Sequence, residues 1–354
     1  MEIHQLLAGF RAGDAIGNYA LELQSIFKEL GYKSHIYAID EHICAKSKAL
    51  SFSHLKHREV SQKTNILIYH FSLGSQATDY FINTPDKKIL IYHNITPAKF
   101  FRSLDNQTAN FLSQGRKELN QLASYANLAL GVSEYNRQEL EEAKFKNTAV
   151  IPLILSQAYL ETEPSKKILK LKNKEKIFLS VGRIAPNKKI EDIIKFFYFY
   201  KKTIDSQAKL FIVGGFERMG KYYRYLKSLL IELDLIDVTF AGHVSLKDLL
   251  AYYSISDAFI CMSEHEGFCI PLLEAMYFKI PVFAFSACAI PETLENSGII
   301  IYEKKFRQVA ELVNNILSHD TLKEKIIKKQ SQRVKNFNRE TLKQKLIAIL
   351  ENFS

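Results

Sequence analysis

Ser263-Glu264-His265-Glu266-Gly267-Phe268-Cys269-Ile270-Pro271-Leu272-Leu273-Glu274-Ala275-Met276 follows an apolar, strand-like run, Asp257 to Met262, and opens a short helical pattern. Pro271 suits the start of a helix, where its missing N–H costs nothing. The backbone N–H groups of Gly267, Phe268, Cys269 and Ile270 then stand at the positive end of a helix dipole, which suits an anion. Glu266 lies in the loop before that helix, and Glu274 lies in its first turns. One carboxylate can approach a hydroxyl of a ligand while the other reaches a neighbouring hydroxyl of the same molecule. The same spacing also describes two ordinary helix-start acids.

Working outward, the chain has 354 residues, enough for two domains with substantial cores. Its apolar content of 47% and charged content of 24% are those of a globular protein. No apolar run reaches the length of a membrane span, and Met1-Glu2-Ile3-His4-Gln5 lacks the pattern of a signal peptide. A cytoplasmic location is therefore expected. Cys44, Cys261, Cys269 and Cys288 show no Cys-x-x-Cys spacing, which points to reduced thiols rather than a zinc site. Cys269 reads as packing, not as a nucleophile. The net charge of +10 favours anionic partners. Lysines cluster at 166–176 and 323–345 without any nucleic-acid-binding signature. No nucleic acid is expected as a partner; an anionic membrane surface fits better, and solvated helix faces explain the same lysines.

The N-terminal half alternates strand and helix, which implies a doubly wound parallel sheet. Ile3 to Ala8 reads as a strand, Gly9 to Asn18 as a loop and Tyr19 to Leu30 as a helix ended by Gly31. Gly13, Asp14 and Gly17 lie in that loop. It is no Gly-x-Gly-x-x-Gly fingerprint, and it reads equally as a flexible turn or as a place where a phosphate or sugar approaches the backbone. Two apolar strands, ending in His70 and His93, each close on Tyr-His and set both imidazoles at the carboxyl edge of the sheet. There a structural role and a cleft role weigh about equally. Leu104 to Tyr125 reads as a helix, Asn127 to Val132 as a strand, and Ser133 as the cap of the next helix.

Residues 161–176 are polar and charged and are expected to link the domains. The second half restarts with the strand Ile177 to Val181 and the loop Gly182 to Lys189, with a helix from Ile190. Arg183 and Lys188 in this loop could converge on a diphosphate, Arg by its fork and Lys as a point charge; a solvated basic turn has the same composition. Strands follow at Lys209–Val213, Val238–Ala241 and Ile280–Ala284, and helices at the C-terminal end.

The pattern Glu-x7-Glu, with Gly-Phe after the first Glu and Pro-x-x-Glu-Ala-Met around the second, resembles the retaining glycosyltransferases of the GT-B fold, and among them the large family 4. Gly-Arg-x4-Lys at Gly182 to Lys188 is similar to that family's element for neutralising the leaving group. The likeness extends over nearly the whole chain, specifically in the second half and loosely in the first. It implies an α/β architecture of two Rossmann-like domains facing a cleft. Residues 1–160 would form the acceptor-side domain, 177–335 the nucleotide-sugar domain, and 336–354 a helix packing back on the first domain. It implies transfer with retention from a nucleoside-diphosphate sugar to a glycan or lipid-linked acceptor, at the inner face of the membrane for the latter. His93 would lie near the reacting sugar, Glu266 against the sugar, Glu274 on the ribose, and His243 and Val244 beside the nucleobase. The glycine-bearing loop would pass close to the donor phosphate. No Asp-x-Asp is present, so neither a metal nor another cofactor is expected. A nucleotide-sugar epimerase, a phosphorylase and a non-catalytic binding module are the alternatives. The family often has Gly before the Pro-Val pair where this chain has Lys279-Ile280, which leaves that turn open.

Overall fold

The apolar runs become the strands of two parallel sheets in a computed structural model, which describes residues 1–10, 15–39, 48–56, 64–156, 159 and 161–353. The first unit contains β1 (Ile3–Leu7), α1 (Ala15–Glu29), β2 (Ile36–Ala38), β3 (Leu50–Ser51), α2 (Phe52–Lys56), β4 (Ile66–Phe71), α3 (Ala77–Asn83), β5 (Lys87–Tyr92), α4 (Asn106–Leu122), β6 (Leu128–Gly131), α5 (Glu134–Glu142) and β7 (Thr148–Val150). Its sheet runs β3-β2-β1-β4-β5-β6-β7 with every pairing parallel. β1 and β4 are buried along their whole length, as strands covered by helices on both faces must be. Ser133 caps α5 as expected, its Oγ accepting the Asn136 N–H at 3.1 Å.

The second unit contains α6 (Lys166–Leu169), β8 (Ile177–Val181), α7 (Ile190–Thr203), β9 (Lys209–Val213), α8 (Gly220–Glu232), β10 (Val238–Gly242), α9 (Leu246–Ile255), β11 (Ala258–Cys261), α10 (Ile270–Tyr277), β12 (Val282–Phe285), α11 (Ile290–Leu294), β13 (Ile299–Ile301), α12 (Phe306–Ser318) and α13 (Asp320–Val334). Its parallel sheet runs β10-β9-β8-β11-β12-β13. Phe178, Phe196, Phe197 and Tyr200 fill the core between β8 and α7. The last helix, α14 (Arg339–Phe353), belongs to the first unit, where Arg339 Nη1 meets Glu29 of α1 at 2.9 Å. No helix among the described residues is long and apolar enough to cross a membrane.

Three expectations change. Residues 161–176 fold as part of the second unit rather than as a linker, because their polar groups find partners there: Ser165 N–H donates to the Lys247 carbonyl at 2.9 Å, and Lys172 pairs with Asp257 at 2.6 Å. The first loop ends earlier than expected: α1 begins at Ala15, so Gly17 is a buried residue of its first turn. Gly13 and Asp14 lie outside the described residues. The turn left open by the missing glycine is made by Lys279 itself, in the left-handed region at φ 57°.

Each sheet reverses its order once, between β1 and β4 and between β8 and β11. The loops after those strands are where an open α/β sheet leaves a crevice. In the second unit the backbone packs tightly beside this point. Gly214 has φ 154°, and a Cβ placed on it would stand 1.9 Å from the Gly182 carbonyl oxygen. Gly214→Ala is therefore expected to destabilise this unit by at least the ~1–3 kcal/mol of such a backbone conformation. Chemical denaturation checks this; an unchanged midpoint would mean that the two loops separate freely.

Candidate functional site

At the reversal in the second unit, the loop after β8 and the loop after β11 are sewn together by backbone groups. The Glu264 N–H donates to the Asn187 carbonyl at 2.9 Å, and the Asn187 side-chain amide donates to the His265 carbonyl at 3.1 Å. The first loop closes as a 3₁₀ turn, Pro186–Lys188, and Lys189 turns left-handed at φ 50° to start α7. These restraints bring Lys188 under Glu266. Its Nζ donates to both carboxylate oxygens, at 2.6 and 2.7 Å. The Lys188 side chain is 23% exposed and that of Glu266 8%. Burial draws the Lys188 ammonium down, but the Glu266 carboxylate outweighs it and holds the amine above its ordinary value. Removing one member of such a sheltered pair leaves the other charge uncompensated.

Arg183 is exposed and has no ion pair among the described residues. The two cations thus differ: Lys188 is engaged with Glu266, whereas Arg183 is lowered from its ordinary value by burial and feels the Glu217 and Arg218 charges without an ion pair among the described residues. Lys304, which drew no attention in the sequence, anchors the second loop. It donates to Asp192 and Glu264 at 2.8 Å each and to the Met262 carbonyl at 3.2 Å.

Gly267, Phe268 and Cys269 lead into α10. Cys269 holds the left-handed conformation at φ 73° just ahead of the helix, and Pro271 lies in its first turn. Thr293 Oγ1 donates to the Phe268 carbonyl at 2.6 Å and pins the loop from α11. The sulfurs of Cys261 and Cys269 and a carboxylate oxygen of Glu266 lie within 4.8 Å of one another. Both oxygens of that carboxylate already face the Lys188 ammonium, so a divalent cation would have to displace a like charge; the set is an ion pair with two thiols beside it. Glu274, in α10, is buried, and Tyr253 of α9 donates its hydroxyl to it at 2.5 Å. Tyr253 was invisible as a site residue because a tyrosine in an apolar helix reads as core. His243 is exposed beyond β10, two strands from the reversal, with Val244 after it.

In the first unit His93 follows β5 directly and hydrogen-bonds the His70 ring of β4 at 2.9 Å. Both imidazoles are held below their ordinary value by burial, His93 at about 3. Both rings are therefore neutral at physiological pH.

Residues 161–333 match the family model described as "Glycosyl transferases group 1". The O-antigen chain mannosyltransferase RfbU of Salmonella typhimurium is 33% identical over 146 residues, which are 41% of this chain and 39% of that protein. The capsular polysaccharide biosynthesis glycosyltransferase CapM of Staphylococcus aureus is 27% identical over 175 residues, 48% of this chain and 44% of its own. The chain thus spans less than half the length of each of these two curated relatives. Among solved structures, sucrose-phosphate synthase of Thermosynechococcus elongatus superposes with a TM-score of 0.77 at 16% identity, over 100% of this chain and 99% of that one. HepE of Anabaena in complex with UDP-glucose gives 0.74 at 16% identity, over 99% and 100%. The fold, two Rossmann-like parallel-sheet domains, is GT-B.

Burial raises the Glu274 carboxyl to about 7 from 4.5, against the Tyr253 and Tyr159 hydroxyls, which lower it. Between those values the folded chain holds more protons than the unfolded one. The stability this group contributes is fully present below pH 4.5, declines as pH rises and is lost above about 7. Relative to Glu274→Gln, the wild type is expected to lose on the order of 3 kcal/mol across that window. Denaturation series at several pH values measure it; a pH-independent difference would place Glu274 in an ordinary, hydrated setting.

Proposed function

We propose that this chain is a retaining glycosyltransferase of the family 4 type. It moves a hexose or deoxyhexose from a nucleoside-diphosphate sugar to a glycan or lipid-linked glycan, in the synthesis of a bacterial-type surface polysaccharide. The observation that carries the reading is the Lys188–Glu266 pair beside Arg183, at the sheet reversal within the matched segment 161–333. The O-antigen and capsule assignments of the relatives support the acceptor class.

Charge separates when a glycosyl–phosphate bond breaks. Negative charge gathers on the β-phosphate and positive charge on the anomeric carbon. Arg183 and the amino end of α10 take up the first, with Lys188 drawn from Glu266 toward the diphosphate. The carboxylate released from that pair then faces the second. Glu274 accepts from a ribose hydroxyl, which favours its ionised form. His93 lies near the transferred sugar. We assign no covalent nucleophile, and the path is a front-face, ion-pair-like one. The net charge of +10 suits a peripheral place on an anionic membrane at the cytoplasmic face.

Incubation with UDP-, GDP- and dTDP-sugars, with and without glycan acceptors, tests the reading. We expect acceptor-dependent transfer, a product with the donor's anomeric configuration, and activity that persists in EDTA. An inverted product would refute retention. An epimerised donor without acceptor would establish an epimerase, and loss in EDTA restored by Mg²⁺ would refute metal independence.

The two cations should separate in mutagenesis. Arg183→Ala is expected to cost ~2–4 kcal/mol of transition-state stabilisation without lowering thermal stability. Lys188→Met should lower both, with ~3–5 kcal/mol of folding stability lost to the stranded Glu266 carboxylate. Kinetics and calorimetry on both variants decide; equal stability losses would show that Arg183 is also held in a structural pair.

A further inference from the structure

Cys261 closes β11, and Cys269 stands just ahead of α10, eight positions later. Both side chains are buried, and their sulfurs lie within 4.8 Å of one another. A hydrogen bond from Cys269 to the Cys261 sulfur holds the Cys261 thiol below its ordinary value and the Cys269 thiol well above it. Cys261 in turn donates to Ser263 Oγ at 3.4 Å. The Lys188 ammonium feels both sulfurs. A cation beside a thiol favours the thiolate, the form that reacts with oxidants.

The backbone sets the pair apart from two thiols that only fill space. Cys269 holds φ 73°, a conformation that residues with a β carbon rarely adopt. Such outliers gather where loop geometry has a use. The loop is tied on both sides of Cys269: Thr293 Oγ1 donates to the Phe268 carbonyl at 2.6 Å, and the Leu272 N–H donates to the Cys269 carbonyl at 3.0 Å. A disulfide needs its sulfurs about 2.0 Å apart. Closing the pair therefore draws Cys269 toward the end of β11 and reorients the peptide groups on either side of it.

We propose that Cys261 and Cys269 are a modification site, a reversible thiol–disulfide pair whose closure shifts the loop 267–270 and weakens the binding of a nucleoside diphosphate there. The ligand rests on the reading under Proposed function; the disulfide does not. The oxidant is a peroxide. The Cys261 sulfur attacks one oxygen of hydrogen peroxide, the O–O bond breaks, and a sulfenic acid and one water result. The Cys269 sulfur then attacks the Cys261 sulfur. The S–O bond breaks, and the hydroxide leaves with the Cys269 proton as a second water. Two thiols and one hydrogen peroxide thus become one disulfide and two waters. A dithiol restores both thiols by exchange and is itself oxidised to a disulfide.

Peroxide treatment of the full reduced chain, followed by alkylation in denaturant and peptide mass mapping, reads the pair directly. The expected product has lost two hydrogens and carries a Cys261–Cys269 link, with no link to another cysteine. Amide exchange of the ligand-free chain across 267–270 should change on oxidation. In calorimetric titration, UDP or GDP, whichever the reduced chain binds, should bind the oxidised chain at least ~tenfold more weakly. Dithiothreitol should restore the affinity. Cys261→Ser should bind like the reduced wild type before and after peroxide. A wild type whose two thiols stay open to alkylation, or end as separate sulfinic acids, would overturn the proposal whether or not Cys261→Ser folds. So would a linked chain with unchanged exchange across 267–270 or with undiminished nucleotide affinity. A linked chain with altered exchange whose reduced form binds no nucleotide sustains the thiol pair and sinks the transferase reading instead.

Discussion

A parallel sheet that reverses its strand order sends the helices on either side of the reversal to opposite faces, and this constraint underlies both polar clusters described above. Between β8 and β11 the two following loops diverge, and their polar groups satisfy one another. Asn187, Glu264 and His265 do this through one backbone hydrogen bond and one from the Asn187 side-chain amide, and Lys304 adds a charged anchor. The Lys188–Glu266 pair is the side-chain consequence: two loops held at fixed separation leave one place for each charge. Between β1 and β4 the same reversal sets Gln5 beside His70.

Shelter gives these groups their chemistry. Lys188 covers both oxygens of Glu266. Glu274, eight positions later, has only hydroxyl donors among the described residues, and burial shifts it to about 7. Two acids on one short segment thus have different partners, one a cation and the other phenols. In the first unit burial keeps His70 and His93 neutral, and Gln5, His70 and His93 form a chain of side-chain hydrogen bonds.

The sequence by itself determined the α/β class, the parallel sheets, most strand and helix positions and the segment 263–276 as the centre of the second half. Strands buried on both faces write themselves as unbroken apolar runs, and proline, glycine and serine punctuate the turns, so these features are local. The short elements β3, β7, β13, α2, α3, α6 and α11 escaped because brief, mixed segments carry no periodicity, and the longer α9 escaped with them. Residues 161–176 read as a linker because charge runs look solvated; Lys172 finds Asp257 only in three dimensions. Tertiary structure decided the strand order, and with it which loops meet. Lys188 and Glu266 are 78 positions apart, Gln5 and His70 65. No pattern along the chain encodes those partners, because a hydrogen bond depends on where a strand lies in its sheet, and that is set by the packing of helices on both faces.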